Sequence, residues 1–172
     1  MPAEKRYRVL IDGYNVINRH PRWSQLALEQ ARTHLLLAVQ QTRWPVPVSR
    51  VDVIFDSSRA SHSGMTTGRL PSTRCDMGRV HVVFARGSAD VAIQQAIRTH
   101  ENPRRSIVIS DDRAILHTAQ SHGTLRYPVS WLLKHSQPKE RPADREPELP
   151  RVSSAEVLRI NAELAKHWHI DE

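Results

Sequence analysis

The chain has 172 residues, which is enough for one domain with a sizeable core and a short appendage. Its hydrophobic fraction of 39% and charged fraction of 25% indicate a globular protein, and no apolar stretch has the length of a membrane span. The N-terminus lacks the apolar core of a signal peptide, and the single cysteine, Cys75, excludes an internal disulfide and a cysteine-built zinc site. We therefore expect a cytoplasmic protein with no membrane partner.

The charge balance is basic. Lys and Arg number 25 against 18 Asp and Glu, a formal net charge of +7, and only four of the 25 are lysine. Arginine binds phosphate through paired hydrogen bonds, and its planar head stacks on bases. Codon usage in a GC-rich genome is an alternative source of arginine, so the excess is a first hint of a polyanionic partner rather than evidence for one.

Apolar runs alternate with helical periodicities along the first 136 residues. Strands are predicted at 7–11, 51–55, 80–85, 106–110 and 124–127. Helices are predicted at 23–42, from the cap Ser88 to about 100, from the fourth strand to about 121, and at 129–134. Residues 57–79 show no period and are predicted to form a long loop. Strands that are apolar nearly throughout favour an α/β fold with a mostly parallel sheet covered on both faces.

The C-terminal part differs in composition. Residues 137–151 contain four prolines with mixed charge, which is typical of an extended linker. Ser153 or Ser154 then begins a final helix to about His167, with Glu156 at capping-box spacing from Ser153. The predicted organisation is a domain at 1–136, a Pro-rich linker at 137–151 and a helical appendage at 152–172.

Aspartates recur where the predicted strands end. Asp12, Asp56 and Asp111 follow the first, second and fourth strands, Asp112 is next to Asp111, and Asp90 lies in the first turn of the helix after the third strand. In an open parallel sheet all these positions belong to one edge, where active sites form. Each aspartate alone could be a turn or helix-cap residue. Together, unpaired carboxylates repel by about 1–4 kcal/mol per pair, and a hard divalent cation removes that repulsion.

A carboxylate-bound cation beside basic residues is the arrangement that cleaves a phosphodiester, because the metal activates water and neutralises charge on the phosphate. Other chemistries fit less well. The sequence has no P-loop, no Gly-x-Gly-x-x-Gly dinucleotide motif and no Gly-x-Ser-x-Gly elbow.

The segment at 11–17, Ile-Asp-Gly-Tyr-Asn-Val-Ile, resembles the opening motif of NYN domains, in particular the YacP-like branch of the PIN-like ribonucleases. Later segments agree in order and spacing, namely those at 53–56, 82–84, 88–93 and 108–112. The resemblance covers roughly residues 6–135. It implies a PIN-like three-layer α/β/α fold, endoribonuclease activity and an acidic site for Mg²⁺ or Mn²⁺.

Carried over by position, the resemblance makes Asp12 the central metal ligand and Asp90 the helix-borne ligand. Asp56 becomes a supporting acid. Asn15 becomes a polar partner that orients substrate or a metal-bound water, although an asparagine there could also simply close a turn.

The last ligand has two interpretations. PIN-like proteins often carry Ser/Thr-x-Asp at this place, which makes Ser110 the hydroxyl and Asp112 the ligand, whereas the strand end itself favours Asp111. The lead-in Gly87-Ser88 is less acidic than is usual in the YacP-like branch, so the resemblance leaves the number of metals open.

The loop at 57–79 is the first candidate for RNA binding, because it leaves the second strand at the edge of the sheet that carries the five aspartates, called the acidic edge below. Its basic residues are Arg59, Arg69, Arg74 and Arg79, and Arg86 lies just beyond it. An ordinary solvated loop is the alternative. Arg19 and Arg22, after the Asp-Gly-Tyr-Asn turn, are the next candidates.

Single-stranded RNA is the expected substrate, because its bases can splay out and stack on side chains. Tyr14 and Trp23 are the candidate stacking platforms. The sequence thus predicts a metal-dependent endoribonuclease. The alternatives are a non-catalytic RNA- or ribosome-binding module, a toxin-type PIN ribonuclease and a DNA nuclease of the same fold class.

Overall fold

Short runs of buried β-branched residues build a six-stranded sheet in this computed structural model, which describes residues 6–57 and 74–136. The strands are β1 (Tyr7–Asp12), β2 (Val48–Asp56), β3 (Arg74–Met77), β4 (Val80–Ala85), β5 (Ser106–Ile109) and β6 (Leu125–Tyr127). Their order is β3-β4-β2-β1-β5-β6. All neighbouring pairs are parallel except β3 and β4, which are antiparallel.

In the described part of the chain, five α-helices connect the strands and cover the sheet. They are α1 (Gly13–Arg19), α2 (Leu28–Gln41), α3 (Ala89–Arg98), α4 (Arg113–Ser121) and α5 (Val129–His135), with short 3₁₀ turns at Trp23–Gln25 and Pro103–Arg105. None of the helices within 6–57 and 74–136 has the length and apolarity that crossing a bilayer requires.

The core has two halves because successive strand residues point to opposite faces of the sheet. On one face, Ile11 and Val53 pack in a cluster with residues of α1, α2 and α5, such as Leu35. On the other face, Leu10 and Val108 pack with residues of α3 and α4. This three-layer α/β/α arrangement with a mostly parallel sheet confirms the predicted fold class.

The chain between the first two strands differs from the single predicted helix at 23–42. It forms the 3₁₀ turn at Trp23–Gln25 and then α2, because Leu26 between them has an extended backbone. A further helix, α1, begins directly after Asp12, where the sequence predicted only a turn. With seven residues, α1 is too short to show helical periodicity.

The segment predicted as a loop at 57–79 contains strand β3. A turn at Gly78, whose φ is 67°, joins β3 to β4, and the carbonyl oxygen of Arg79 accepts a hydrogen bond from the Val51 N–H at 2.8 Å. Glycine readily adopts this left-handed conformation, which favours a hairpin. Residues 58–73, the predicted linker at 137–151 and the predicted helix at 152–172 lie outside the described residues.

Gly13 is required by close packing. A Cβ atom at this position would lie 2.3 Å from Cε1 and 2.6 Å from Cδ1 of Phe55. Gly13 is the first residue of α1, and its missing side chain makes room for the Phe55 ring.

We expect Gly13→Ala to lower the free energy of unfolding by about 1–3 kcal/mol, because the added methyl group overpacks this contact. Urea denaturation measures the change. The cost should shrink in a Phe55→Leu background, which removes the ring edge. An equal cost in both backgrounds would show that the clash with Phe55 is not the cause.

Candidate active site

Asp12 ends β1 and caps α1, and its carboxylate is held at both oxygens. The Asn15 N–H donates to Oδ1 at 3.2 Å, and the Ser110 hydroxyl donates to Oδ2 at 3.3 Å. The residue is 5% exposed. Asp12 is therefore a buried carboxylate in a fixed orientation, with neutral hydrogen-bond donors at both oxygens.

Ser110 links this carboxylate to a second one. It is fully buried just after β5, and its Oγ accepts a hydrogen bond from the Asp112 N–H at 3.0 Å. Asp112 in turn caps α4, since its Oδ1 accepts from the N–H groups of Ala114 and Ile115 at 2.8 and 3.1 Å. The N-terminus of α4 and the end of β1 are thus connected through one hydroxyl group.

Two further acids lie at the same edge, both partly buried: Asp90 in the first turn of α3 and Asp56 at the end of β2. Burial raises the pKa of Asp90, and the charges of Asp112 and Asp56 raise it further. The parallel strands therefore bring acids from separate segments within electrostatic reach of one another.

The pKa of Asp12 is the most strongly raised in this group. Burial is the main cause and raises it to about 6, against the lowering effect of the hydrogen bonds from Asn15 and Ser110. The charges of Asp90 and Asp112 raise it as well. Near neutral pH, the ionised Asp12 is thus unfavourable by itself and is stabilised by any positive charge that binds beside it.

Asp111 has different partners. Its Oδ1 accepts a hydrogen bond from the Val129 N–H at 3.1 Å, and its own N–H donates to Asn15 Oδ1, also at 3.1 Å. Its Oδ2 lies 3.5 Å from Nε of Arg19. Asp111 thereby joins α1, the end of β5 and the start of α5.

The two predicted ligands after β5 therefore occupy different surroundings. The charge of Asp112 contributes to the raised pKa of both Asp12 and Asp90, whereas Asp111 binds the Val129 N–H and Arg19. Asn15 connects the two groups, because its backbone N–H binds Asp12 and its side-chain oxygen binds the Asp111 N–H.

Within residues 6–57 and 74–136, no group of three or more His, Cys, Asp or Glu side chains has the geometry to hold a metal ion. A closed protein cage for a metal is therefore absent from this part of the chain. Mg²⁺ at phosphoryl-transfer sites commonly uses one or two carboxylates, with water and substrate phosphate as the remaining ligands. The buried, oriented Asp12 beside Asp90 and Asp112 fits that sparser kind of site.

Exposed arginines lie close to the acids. Arg19 is 63% exposed beside Asp111, and Arg86 is exposed one residue beyond β4, at the acidic edge. The backbone there is bound to the residue after β2, because the Gly87 N–H donates to Ser57 Oγ at 3.3 Å. Arg22 is exposed shortly after α1.

Arg79 is a correction to the sequence prediction. It precedes β4, so it lies at the edge of the sheet opposite the acids, about 20 Å of strand away. The hairpin between β3 and β4 reverses the chain and carries Arg79 there. Arg74 begins β3 and pairs with Val83, and Arg59 and Arg69 fall outside the described residues.

The two predicted stacking platforms are also wrong, because Tyr14 and Trp23 are both buried. The hydroxyl of Tyr14 accepts a hydrogen bond from Arg32, and the Trp23 ring stacks on that of His20. Sequence analysis missed Arg32, a charged residue on α2 that is buried beside this edge.

Comparisons with known proteins agree with this architecture. The family model for the YacP-like NYN domain matches residues 9–168, which extends beyond the 6–135 range of the recognised motifs. The search of curated proteins found no match.

Two solved structures of Rae1 (YacP) from Bacillus subtilis are similar to this chain. The W164L mutant is 24% identical, with 76% of this chain and 74% of that chain covered and a TM-score of 0.53. The other is 21% identical, with 92% and 79% covered and a TM-score of 0.52. At these identities the likeness shows a common fold.

The raised pKa of Asp12 predicts how stability depends on pH in metal-free buffer. Because the pKa is about 6 in the folded state against 3.8 ordinarily, stability should fall as pH rises from about 4 to 7. Asp12→Asn removes the unfavourable ionisation of this buried carboxyl and keeps an oxygen that can cap α1. Urea denaturation should show the variant about 1–3 kcal/mol more stable than wild type at pH 8, with no such gain at pH 4.

Asp52 provides the matched control. It is a fully buried carboxylate, but Nε atoms of Arg8 and Arg50 lie 2.6 and 2.7 Å from its oxygens. Asp52→Asn should therefore destabilise the protein at pH 8, because it leaves two cations without their charge partner. If Asp12→Asn destabilises in the same way at pH 8, the ionised Asp12 is not an unfavourable charge.

Proposed function

The chain belongs to the YacP-like NYN domain family, and from this membership and its acidic edge we propose that it is a divalent-metal-dependent endoribonuclease acting on single-stranded RNA. One observation carries the metal dependence: the carboxylate of Asp12 is buried, and its pKa is raised to about 6 by burial and by neighbouring acids. A bound cation stabilises such a cluster at neutral pH.

We assign metal binding to Asp12, Asp90 and Asp112, with one or two of them as direct ligands and the others acting through bound water. When bound, Mg²⁺ or Mn²⁺ supplies a polarised water and positive charge for the transferred phosphate. Asn15 and Ser110 orient the Asp12 carboxylate through their hydrogen bonds. The remaining coordination positions would then be open to water and phosphate, as at other phosphoryl-transfer sites.

Asp112 is favoured over Asp111 as the third acid. Its charge acts on both Asp12 and Asp90, and Ser110 joins it to Asp12. Asp111 is instead occupied by the Val129 N–H and by Arg19, so we assign it a structural role.

Asp56 remains a supporting acid in this proposal. It ends β2, and its charge contributes to the raised pKa of Asp90. RNA would approach between Arg19 and Arg86, which are both exposed at this edge, with phosphate contacts that position the strand without reading its sequence.

A second candidate is a non-catalytic RNA-binding module with the same fold. The lack of a three-ligand group among the described side chains favours it, because a protein that only binds RNA needs no metal. Both candidates use the same basic residues, so binding alone does not separate them, whereas cleavage does.

The deciding experiment incubates end-labelled single-stranded RNA and DNA with the protein in Mg²⁺, in Mn²⁺ and in chelator. We expect internal cleavage of RNA that chelator abolishes. Asp12→Asn and Asp90→Asn should remove cleavage and leave RNA binding intact, because each loses a ligand and also a charge that repels phosphate. Cleavage that persists in chelator would refute metal dependence, and binding without cleavage would select the second candidate.

The same assay compares Asp112→Asn with Asp111→Asn. Asp111 lies outside the ligand group, so Asp111→Asn should lower the cleavage rate by about 10- to 100-fold. Asp112→Asn should lower it by more than that. A larger loss at Asp111 would reverse the assignment of these two acids.

RNA binding should also depend on the arginines at the acidic edge and not on Arg79 at the opposite edge. In an Asp12→Asn background, replacing Arg19 and Arg86 with alanine should flatten the slope of log affinity against log salt by about 1.4, at about 0.7 per single-strand phosphate. Arg79→Ala is the matched control at the far edge and should leave the slope unchanged. Fluorescence anisotropy measures both, and the opposite pattern would place the RNA on the other edge.

A further inference from the structure

A buried cation lies behind the acidic edge. Arg32, on α2, is 3% exposed, and its guanidinium carbon lies 5.4, 5.5 and 5.4 Å from the ring centroids of Tyr14, Phe55 and Phe84. It also donates a hydrogen bond to the Tyr14 hydroxyl. Burying a charge costs several kcal/mol, which cation–π contacts and hydrogen bonds must offset.

The three rings belong to the segments that carry the acids. Tyr14 is two residues after Asp12, and Phe55 directly precedes Asp56. Phe84 is next to the last residue of β4, and the chain continues from there into α3, where Asp90 lies. Arg32 thus contacts the ends of three elements at once.

The rings around Arg32 also contact one another. The rings of Tyr14 and Phe55 have centroids 5.1 Å apart, and those of Phe55 and Phe84 are 5.6 Å apart. Phe55 also fills the space where a side chain of Gly13 would be. The Phe55 ring therefore packs against the backbone at Gly13, while its own backbone directly precedes Asp56 at the end of β2.

We propose that Arg32 is a positioning residue for the acidic edge: through Tyr14, Phe55 and Phe84 it fixes where Asp12 and Asp56 stand relative to each other. The proposal rests on the ribonuclease activity proposed above. Arg32 itself does not touch substrate. Packing alone does not require this residue, since an apolar side chain of similar length fills the same volume and avoids the desolvation of a charge.

Arg32→Met separates positioning from packing. Its thermal stability should equal or exceed that of wild type, because methionine fills the site without a buried charge. Its kcat on single-stranded RNA should nevertheless fall by about 10- to 100-fold, since misplaced catalytic groups cost rate, while KM stays unchanged. Arg32→Lys, which keeps the cation, should recover part of kcat.

Arg50→Met is the matched control. Arg50 is a partly buried arginine bound to Asp52, and residue 50 lies near the start of β2, away from the acids. The variant should lose stability and keep kcat. If Arg32→Met loses stability and kcat together and Arg50→Met does the same, Arg32 is merely structural and the proposal is wrong.

A second readout does not depend on cleavage. Amide hydrogen exchange at Asn15, whose N–H binds Asp12, should be faster in Arg32→Met than in wild type and unchanged in Arg50→Met. If wild type does not cleave RNA, the proposed function fails, and this exchange result still decides whether Arg32 positions Asp12. Unchanged exchange at Asn15 together with unchanged kcat overturns the proposal.

If Arg32→Met does not fold, Tyr14→Phe tests the same proposal. It removes only the hydroxyl that accepts from Arg32 and leaves all three rings in place. We expect a smaller fall in kcat with the same KM and faster exchange at Asn15. Wild-type kcat and exchange in Tyr14→Phe, with full activity in Arg32→Lys, would overturn the proposal.

Discussion

The burial of the Asp12 carboxylate is the constraint on which the rest of this edge depends. At 5% exposure and with acids as its charged neighbours, its ionised form is costly near neutral pH. The hydrogen bonds from Asn15 and Ser110 reduce that cost and fix the orientation of the carboxylate, but they bring no positive charge. A cation bound beside the Asp12 carboxylate would therefore stabilise its ionised form.

The hydrogen bonds that cap two of the helices also orient the acids of the candidate site. Asp12 caps α1 and Asp112 caps α4, so each aspartate is oriented by the helix that it begins. A parallel sheet brings both helix starts to one edge, and Ser110 joins them. The acids therefore need no separate scaffold, because the backbone N–H groups that a helix start leaves unpaired hold two of them.

The sequence could predict the features of this edge that follow from local patterns, but not those that depend on contacts between distant residues. The shared edge of Asp12, Asp56 and Asp90 followed from the strand ends and from the parallel topology alone. The different surroundings of Asp111 and Asp112 did not, because Asp111 binds the Val129 N–H, 18 residues along the chain.

Arg79 and Arg32 were misplaced or missed for physical reasons. Strand β3 has four residues, too few to show an alternating pattern, so the hairpin that moves Arg79 to the far edge had no signal. Arg32 lies in a helical periodicity, where a charged residue ordinarily marks the solvated face. Its aromatic surroundings come from three separate segments, and only the folded chain brings them together.

Calorimetric titration of the RNA-free protein with Mn²⁺ tests the central claim most directly. We predict one saturable site near pH 6 whose occupation releases protons, because binding a cation lowers the pKa of Asp12 from about 6. Asp12→Asn and Asp90→Asn should abolish the binding, and Asp111→Asn should retain it. Wild-type binding no stronger than that of Asp12→Asn would contradict the account.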